Sequence, residues 1–355
     1  MTDYEKICDF QNLYNAHLNA RKGKRKKGEV IRFEMNLGAN LIRLQESLLN
    51  RSYQMQGYYQ FQVHEPKTRD IYAAYYPDRV LLHCVCDEVL IPKLQKRVIY
   101  DNVACQPGKG THFGIARLNK FMREHYKEHG TEGYFLKCDI SKYFASLDHE
   151  VIKGQMHRVV KDRDVRRVLD DCIDGFSTPG RPGKGVPLGN QTSQWFGVFY
   201  LDPVDRFIKE VLRVKHYIRY MDDLLLLHHD KTFLQDALVQ IQQMIEDKCK
   251  LELNHRTQIT PIRSGVEFLG WRFYLTETGK VIRKLKPQSK QRYKRKIKEL
   301  QRQYAAGEID LDKVKNVLGS LDGHLRYGHT YKLKAKTMED FVLIRKSKTK
   351  KKEEP

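Results

Sequence analysis

The chain is poor in the features that mark a membrane or secreted protein. It has no run of about 18 apolar residues, so no membrane span is expected. Its opening residues, Met-Thr-Asp-Tyr-Glu-Lys, lack the charged-then-apolar pattern of a secretion leader, and a cytoplasmic location is expected. The seven cysteines form no CxxC pair and no Cys/His set with zinc spacing, and an odd count without a framework fits a reducing compartment. Cys84 and Cys86 alternate in an apolar stretch and are expected to be buried thiols. No internal repeat is visible, which excludes a solenoid.

Acid is scarce relative to base. There are 65 Lys+Arg against 44 Asp+Glu, a formal net charge of +21. Clustered positive charge suits a polyanion, because each phosphate neutralised releases condensed counterions. The clusters are Arg21–Lys27, the stretch from Arg283 to Arg302 with ten basic residues and one acid, and Arg345–Lys352 with six basic residues in eight. Hydrophobic residues still make up 40%, enough for a core, and mean hydropathy is -0.65.

Periodicity divides the chain. Leu37, Leu41, Leu44 and Leu48 mark a helix in a basic N-terminal extension, 1–54. Strand-like alternation over 58–63 and 70–75 flanks the turn 65–69, and a helix is predicted over 79–98. Further helices are predicted from about 149 and over 191–211. A strand is predicted over 133–139 and a strand or hairpin over 265–274, with a hairpin over 217–228. Mixed strands and helices in this order indicate an α+β domain over 55–280. A small basic helical domain follows over 281–341, and a basic tail, expected to be disordered, over 342–355.

Against this basic background three acids stand out. Asp139 ends an apolar strand, and Asp222 and Asp223 sit at a turn between apolar arms. Alone, an Asp-Asp pair is more often a solvated turn. Adjacent carboxylates with little solvent relief nevertheless repel, and a divalent cation resolves the conflict. Acids from two strands converging on one edge suit two-ion phosphoryl chemistry.

The order of motifs resembles the reverse transcriptases. Asp139 is followed by Phe144, then Gly185-Val186-Pro187-Leu188-Gly189-Asn190-Gln191-Thr192-Ser193-Gln194, then Tyr220-Met221-Asp222-Asp223, then Val266-Glu267-Phe268-Leu269-Gly270. Pro66–Arg69 and Asp101–Gly110 resemble two fingers motifs of the same family. The resemblance implies a right-hand polymerase fold with fingers and palm plus a small basic α-helical thumb. It implies two Mg²⁺ ions held by Asp139, Asp222 and Asp223 with the backbone of Ile140, and Lys67 and Arg69 as clamps on the dNTP phosphates. Phe144 would be the sugar gate, Leu188 and Gly189 would lie at the templating pair, and Phe268, Leu269 and Gly270 would form a primer grip. Arg292, Tyr293, Arg295 and Lys298 would line a thumb helix on the duplex. Arg256 falls where many polymerases carry a general-acid Lys, which leaves leaving-group protonation unassigned because Arg rarely gives up a proton.

Leu188–Gln194, ending in Ser-Gln, looks like the enzymes of diversity-generating retroelements, which copy a template RNA error-prone at adenines together with a small basic accessory protein. A phage-defence or orphan bacterial enzyme is the alternative within the family. Outside it stand a non-catalytic RNA-binding protein, opposed by the intact acids, and a two-metal nuclease, which gives Phe144 and the Pro187–Gly189 turn no role. The expected partners are template RNA, cDNA and dNTPs, with no membrane.

Overall fold

A computed structural model describes residues 1–64 and 68–345. Lys67, Pro66 and the tail from 346 lie outside the described residues. The chain forms two compact units, the first comprising 1–110, 136–226 and 232–258, and the second 111–135, 227–231 and 259–355.

In the first unit, four helices open the chain: α1 (Asp3–Cys8), α2 (Phe10–Ala20), α3 (Gly28–Met35) and α4 (Leu37–Leu49). Thr2 caps α1 in a capping box with Glu5, and the Asp9 carboxylate caps α2. Leu41, Leu44 and Leu48 are buried on one face of α4, as their spacing requires. The ribbon β1 (Tyr58–Val63) and β2 (Arg69–Ala74) pairs antiparallel, with Tyr59 opposite Ala73 and Phe61 opposite Ile71.

The expected helix over 79–98 begins earlier, as α5 (Tyr76–Val85). It continues through a π-turn at Cys86–Leu90 into α6 (Ile91–Leu94). Pro77 sits in the first turn of α5, where a missing N–H costs nothing. The expected helix over 191–211 is likewise divided into α11 (Gln191–Tyr200), α12 (Asp202–Arg206) and a π-turn at Phe207–Val211. Asp202 starts the new segment, and Pro203 lies in its first turn. Before these lie α7 (Thr111–His129) of the second unit, then β3 (Tyr134–Asp139), α8 (Tyr143–Ser146), α9 (His149–Val159) and α10 (Arg163–Asp174).

β4 (His216–Tyr220) and β5 (Asp223–His228) follow α12, and the strands lie side by side in the order β4-β5-β3. Leu224, Leu225 and Leu226 are buried, as are Tyr217 and Ile218. Such continuous apolar runs belong to strands covered on both faces. Buried residues of α11, including Trp195, Phe196 and Tyr200, contribute to this unit's core. Leu234, Ala237, Ile241 and Ile245 are buried along α13 (Lys231–Cys249).

In the second unit, β6 (Gln258–Pro261) leads into β7 (Val266–Phe268), β8 (Trp271–Leu275) and β9 (Val281–Leu285), and the last three form an antiparallel sheet. Helices α14 (Pro287–Ala305), α15 (Leu311–Leu325) and α16 (Tyr331–Met338) complete it. Tyr293, Ile297 and Leu325 form a small core with Leu318, Leu321 and Leu333 packed around it. All seven cysteines are free thiols, with Cys84 and Cys86 fully buried. Among the described residues no helix is long and apolar enough to cross a membrane.

Candidate active site

The site is built on three neighbouring strands of the first unit. On β3 Lys137 and Asp139 are two residues apart and share a face, while Leu136 and Cys138 are buried. The turn from β4 to β5 is made by Met221 and Asp222, and Met221 takes a left-handed φ of 54°. That conformation is costly for a residue with a side chain. Arg219 stabilises it from below by donating Nη1 to the Met221 carbonyl at 2.9 Å.

Arg219 itself is fully buried. Its Nε and Nη2 donate to the Asp205 carboxylate at 2.7 and 2.6 Å, and Nη2 also donates to the Val198 carbonyl at 2.7 Å. The Tyr217 hydroxyl donates to the same carboxylate at 2.6 Å. Along the other edge of β4, the Arg219 backbone pairs with residues 101–103, which fixes the start of the Asp101–Gly110 segment beside the β4–β5 hairpin. A charge inside an apolar strand was the sequence signal for this network, and the motif reading passed over it.

The two turn acids are shifted by burial and by neighbouring charge. Burial pushes the Asp222 carboxyl above its ordinary range, and Asp139 adds to the rise, while Arg219 and Lys137 oppose it. Asp223 is pushed up to about 6, again chiefly by burial, with Lys137 opposing and Asp222 and Asp139 adding. Lys137 Nζ donates to Asp223 Oδ2 at 3.2 Å. It lies 3.1 Å from Oδ1, yet that buried oxygen accepts no hydrogen bond. Asp139 Oδ2 accepts from Asn254 Nδ2 at 2.6 Å, and the Asp139 N–H donates to the Thr257 hydroxyl at 3.2 Å. Backbone bonds from Asn254 to Asp139 and from Ser141 to Glu252 hold the strand end against 252–254. Lys137 and Asn254 were not singled out from sequence. Lys137 was visible as a lone base in an apolar strand, whereas Asn254, far along the chain, gave no signal.

Among the described residues no three His, Cys, Asp or Glu side chains are gathered as a metal-holding set. The donors nevertheless suit a hard divalent ion, which is typically held by one or two carboxylates with substrate phosphates completing the shell. A buried carboxylate oxygen without a donor and two acids pushed toward protonation are both relieved by added positive charge.

Phe144 is half-buried. Its ring lies so close to Gly197 that a β-carbon there would sit 3.1 Å from it, and it packs edge-on against Tyr143 at 5.5 Å. Its carbonyl accepts from the Val186 N–H at 3.0 Å, and Gly185 N–H donates to Leu147 at 2.7 Å. These bonds bring Phe144 and the Pro187-Leu188-Gly189 turn together. Leu188 is half-buried, and Gly189 is exposed with φ 121° beside Ile71 of β2. Ile140 is buried and bridges to Leu253, while Arg69 and Arg256 are exposed.

In the second unit, Leu269 and Gly270 form a two-residue hairpin turn between β7 and β8, both with positive φ (49° and 86°), and Phe268 is fully buried. On α14 Arg292, Arg295 and Lys298 are exposed, and Tyr293 points into the small core.

Residues 81–273, more than half of the chain, match the family described as reverse transcriptase (RNA-dependent DNA polymerase). The chain belongs to the reverse transcriptase family. The domain of that family is an RNA-directed DNA polymerase, a nucleotidyltransferase, and reverse transcriptases use divalent metal ions. No curated protein matches the chain. Among solved structures, the telomerase of Candida albicans, in complex with a fragment of telomeric RNA, is 13% identical with a TM-score of 0.51; the match covers 73% of this chain and 52% of that one. Apo telomerase of Candida tropicalis lacking its C-terminal domain is 15% identical with a TM-score of 0.47, over 64% of this chain and 57% of that one. The chain thus spans about half the length of these telomerases, and the first likeness shows the polymerase fold alone.

Proposed function

We propose that this reverse transcriptase copies an RNA template into cDNA by two-metal nucleotidyl transfer at Asp139, Asp222 and Asp223. The observation that carries the reading is that Asp139 ends β3 beside β5, whose first residue Asp223 is paired with Lys137 of β3, in a chain whose net charge is +21. Asp139, Asp222 and the Ile140 carbonyl would hold two Mg²⁺ ions, with Asp223 alongside. When bound, the ions supply charge neutralisation at the transferring phosphate and acidify the primer 3′-hydroxyl.

The protein's own groups do the rest. Asn254 orients Asp139, Lys137 holds Asp223, and Arg219 fixes the turn that presents Asp222. Phe144, whose ring lies against Gly197, would exclude a ribose 2′-hydroxyl. Lys67 and Arg69 carry the charge for the triphosphate. Phe268–Gly270 would contact the primer, and Arg292, Arg295 and Lys298 the duplex backbone. Tyr293, although grouped with them, would act through the core that supports α14.

The finer reading, an error-prone enzyme of a diversity-generating retroelement with a small basic accessory protein, rests on segment 188–194. Errors concentrated at template adenines support it; an even error spectrum favours a defence or orphan enzyme. Primer extension on an RNA template with dNTPs and Mg²⁺ tests the general reading. Shortening of the substrate without dNTPs would point to a nuclease, and binding without extension to a non-catalytic protein.

A further inference from the structure

Glycine is a poor choice inside a helix, because it loses more backbone freedom on folding than alanine does. Gly197 nevertheless lies inside α11, where it is buried and has no left-handed φ that would call for it. Close approach accounts for it instead. A β-carbon added there would meet Phe144 Cε1 and Cζ at 3.1 Å and Tyr143 Cε1 at 3.5 Å. The first distance is inside the roughly 3.5–4.0 Å optimum for a pair of carbon atoms. At Gly154 of α9, or Gly319 and Gly323 of α15, an added β-carbon would meet nothing within 4 Å. The far edge of the Phe144 ring thus rests on bare backbone.

Which partner yields when that space is filled follows from how each is held. The helix is anchored at two successive carbonyls. That of Gly197 accepts from the Tyr143 hydroxyl at 2.6 Å. That of Val198 accepts from Arg219 Nη2 at 2.7 Å and from Asn102 Nδ2 at 3.3 Å. Tyr143 is buried and packs edge-on against Phe144, with ring centroids 5.5 Å apart and 73° between the planes. The Phe144 main chain is held through its carbonyl, which accepts from the Val186 N–H at 3.0 Å. Of these groups the half-buried Phe144 ring alone has an open side. A methyl group at 197 therefore turns that ring about its side-chain bonds, by a few tenths of an ångström, toward the open side.

We propose that Gly197 is a positioning residue for nucleotide selection. Its missing side chain sets how far the Phe144 ring stands from the sugar of the incoming nucleotide. The inference rests on the reading of Phe144 as the sugar gate.

The test is single-nucleotide primer extension by the full chain, with a dNTP and with the matching rNTP. The wild type is compared with Gly197→Ala, with Phe144→Ala and with the two together. Gly197→Ala should raise KM for the dNTP by about three- to tenfold with kcat little changed, on the scale by which a misplacement of about 1 Å costs about 10²-fold. It should lower rNTP use further, so that the dNTP-to-rNTP ratio of kcat/KM rises. Its thermal melt should equal or exceed that of the wild type, because alanine favours the helix. With Phe144→Ala also present the ring is gone, and Gly197→Ala should no longer alter the ratio.

The outcomes separate the two readings. If Phe144→Ala does not raise rNTP use, the sugar-gate reading is rejected and the proposal with it. If Phe144→Ala raises rNTP use while Gly197→Ala keeps wild-type KM and ratio, the positioning role alone is rejected. A change in the ratio that persists without the ring, or a lowered melt with an unchanged ratio, marks a purely structural glycine and overturns the proposal. So does a Gly197→Ala chain that folds only when Phe144→Ala accompanies it, because the ring then failed to give way.

Discussion

Replacing Asp205 by alanine leaves the Arg219 guanidinium charged in the interior with half of its hydrogen bonds gone. Of its four side-chain bonds, two end on Asp205, and Tyr217 loses its acceptor as well. Both members of the pair are 0% exposed, so water does not take over. Removing one partner of a buried pair typically costs about 3–5 kcal/mol, because the remaining charge is uncompensated. That is a large share of the roughly 5–15 kcal/mol that stabilises a folded domain. Asp205→Asn keeps the shape and one acceptor and should cost less. The informative variant is Arg219→Met with Asp205→Leu, which removes both charges at similar volume. It should recover most of the stability yet stay impaired in primer extension, because nothing then holds the Met221 carbonyl. Urea unfolding followed by tryptophan fluorescence gives the stabilities, and Trp195 lies in the same unit as the pair. A loss below about 1 kcal/mol for Asp205→Ala, the level of an exposed pair, would refute the reasoning. So would full activity in the double variant.

Three further outcomes are expected. Burial holds His83 down to about 4, so the unfolded chain takes up a proton first as pH falls. Stability from this group is full above about 6.5 and is lost toward pH 4, and His83→Asn should flatten the fall in urea midpoint between pH 7 and pH 5; an identical slope would reject it. Gly185 has φ 92° and an added β-carbon would overlap the Thr178 hydroxyl. Gly185→Ala should therefore cost at least about 1 kcal/mol and slow extension, and a wild-type melt and rate would contradict this. Leu188→Gln puts a hydrogen-bonding side chain at the position assigned to the templating pair and should reduce misincorporation in a sequenced cDNA pool; an unchanged error spectrum counts against it.

The strands, the acids and their order were readable because each acid interrupts an apolar run. The boundaries at Cys86 and Leu201 were not, since a π-turn and a helix restart keep the same apolar periodicity. β9 was hidden because Val281-Ile282-Arg283-Lys284-Leu285 leads into a basic stretch, where charge masks strand alternation. Asn254 and Asp205 act on residues distant in sequence, and no local pattern announces such pairings.

The most direct measurement is extension of a DNA primer on an RNA template with dNTPs and Mg²⁺, comparing the wild-type chain with Asp139→Asn and with Asp222→Asn plus Asp223→Asn. The expected result is full-length cDNA from the wild type and a loss of at least about 10²-fold in each variant, the scale on which a single group stabilising the transition state is felt. Undiminished synthesis after removal of either set of carboxylates would contradict the account.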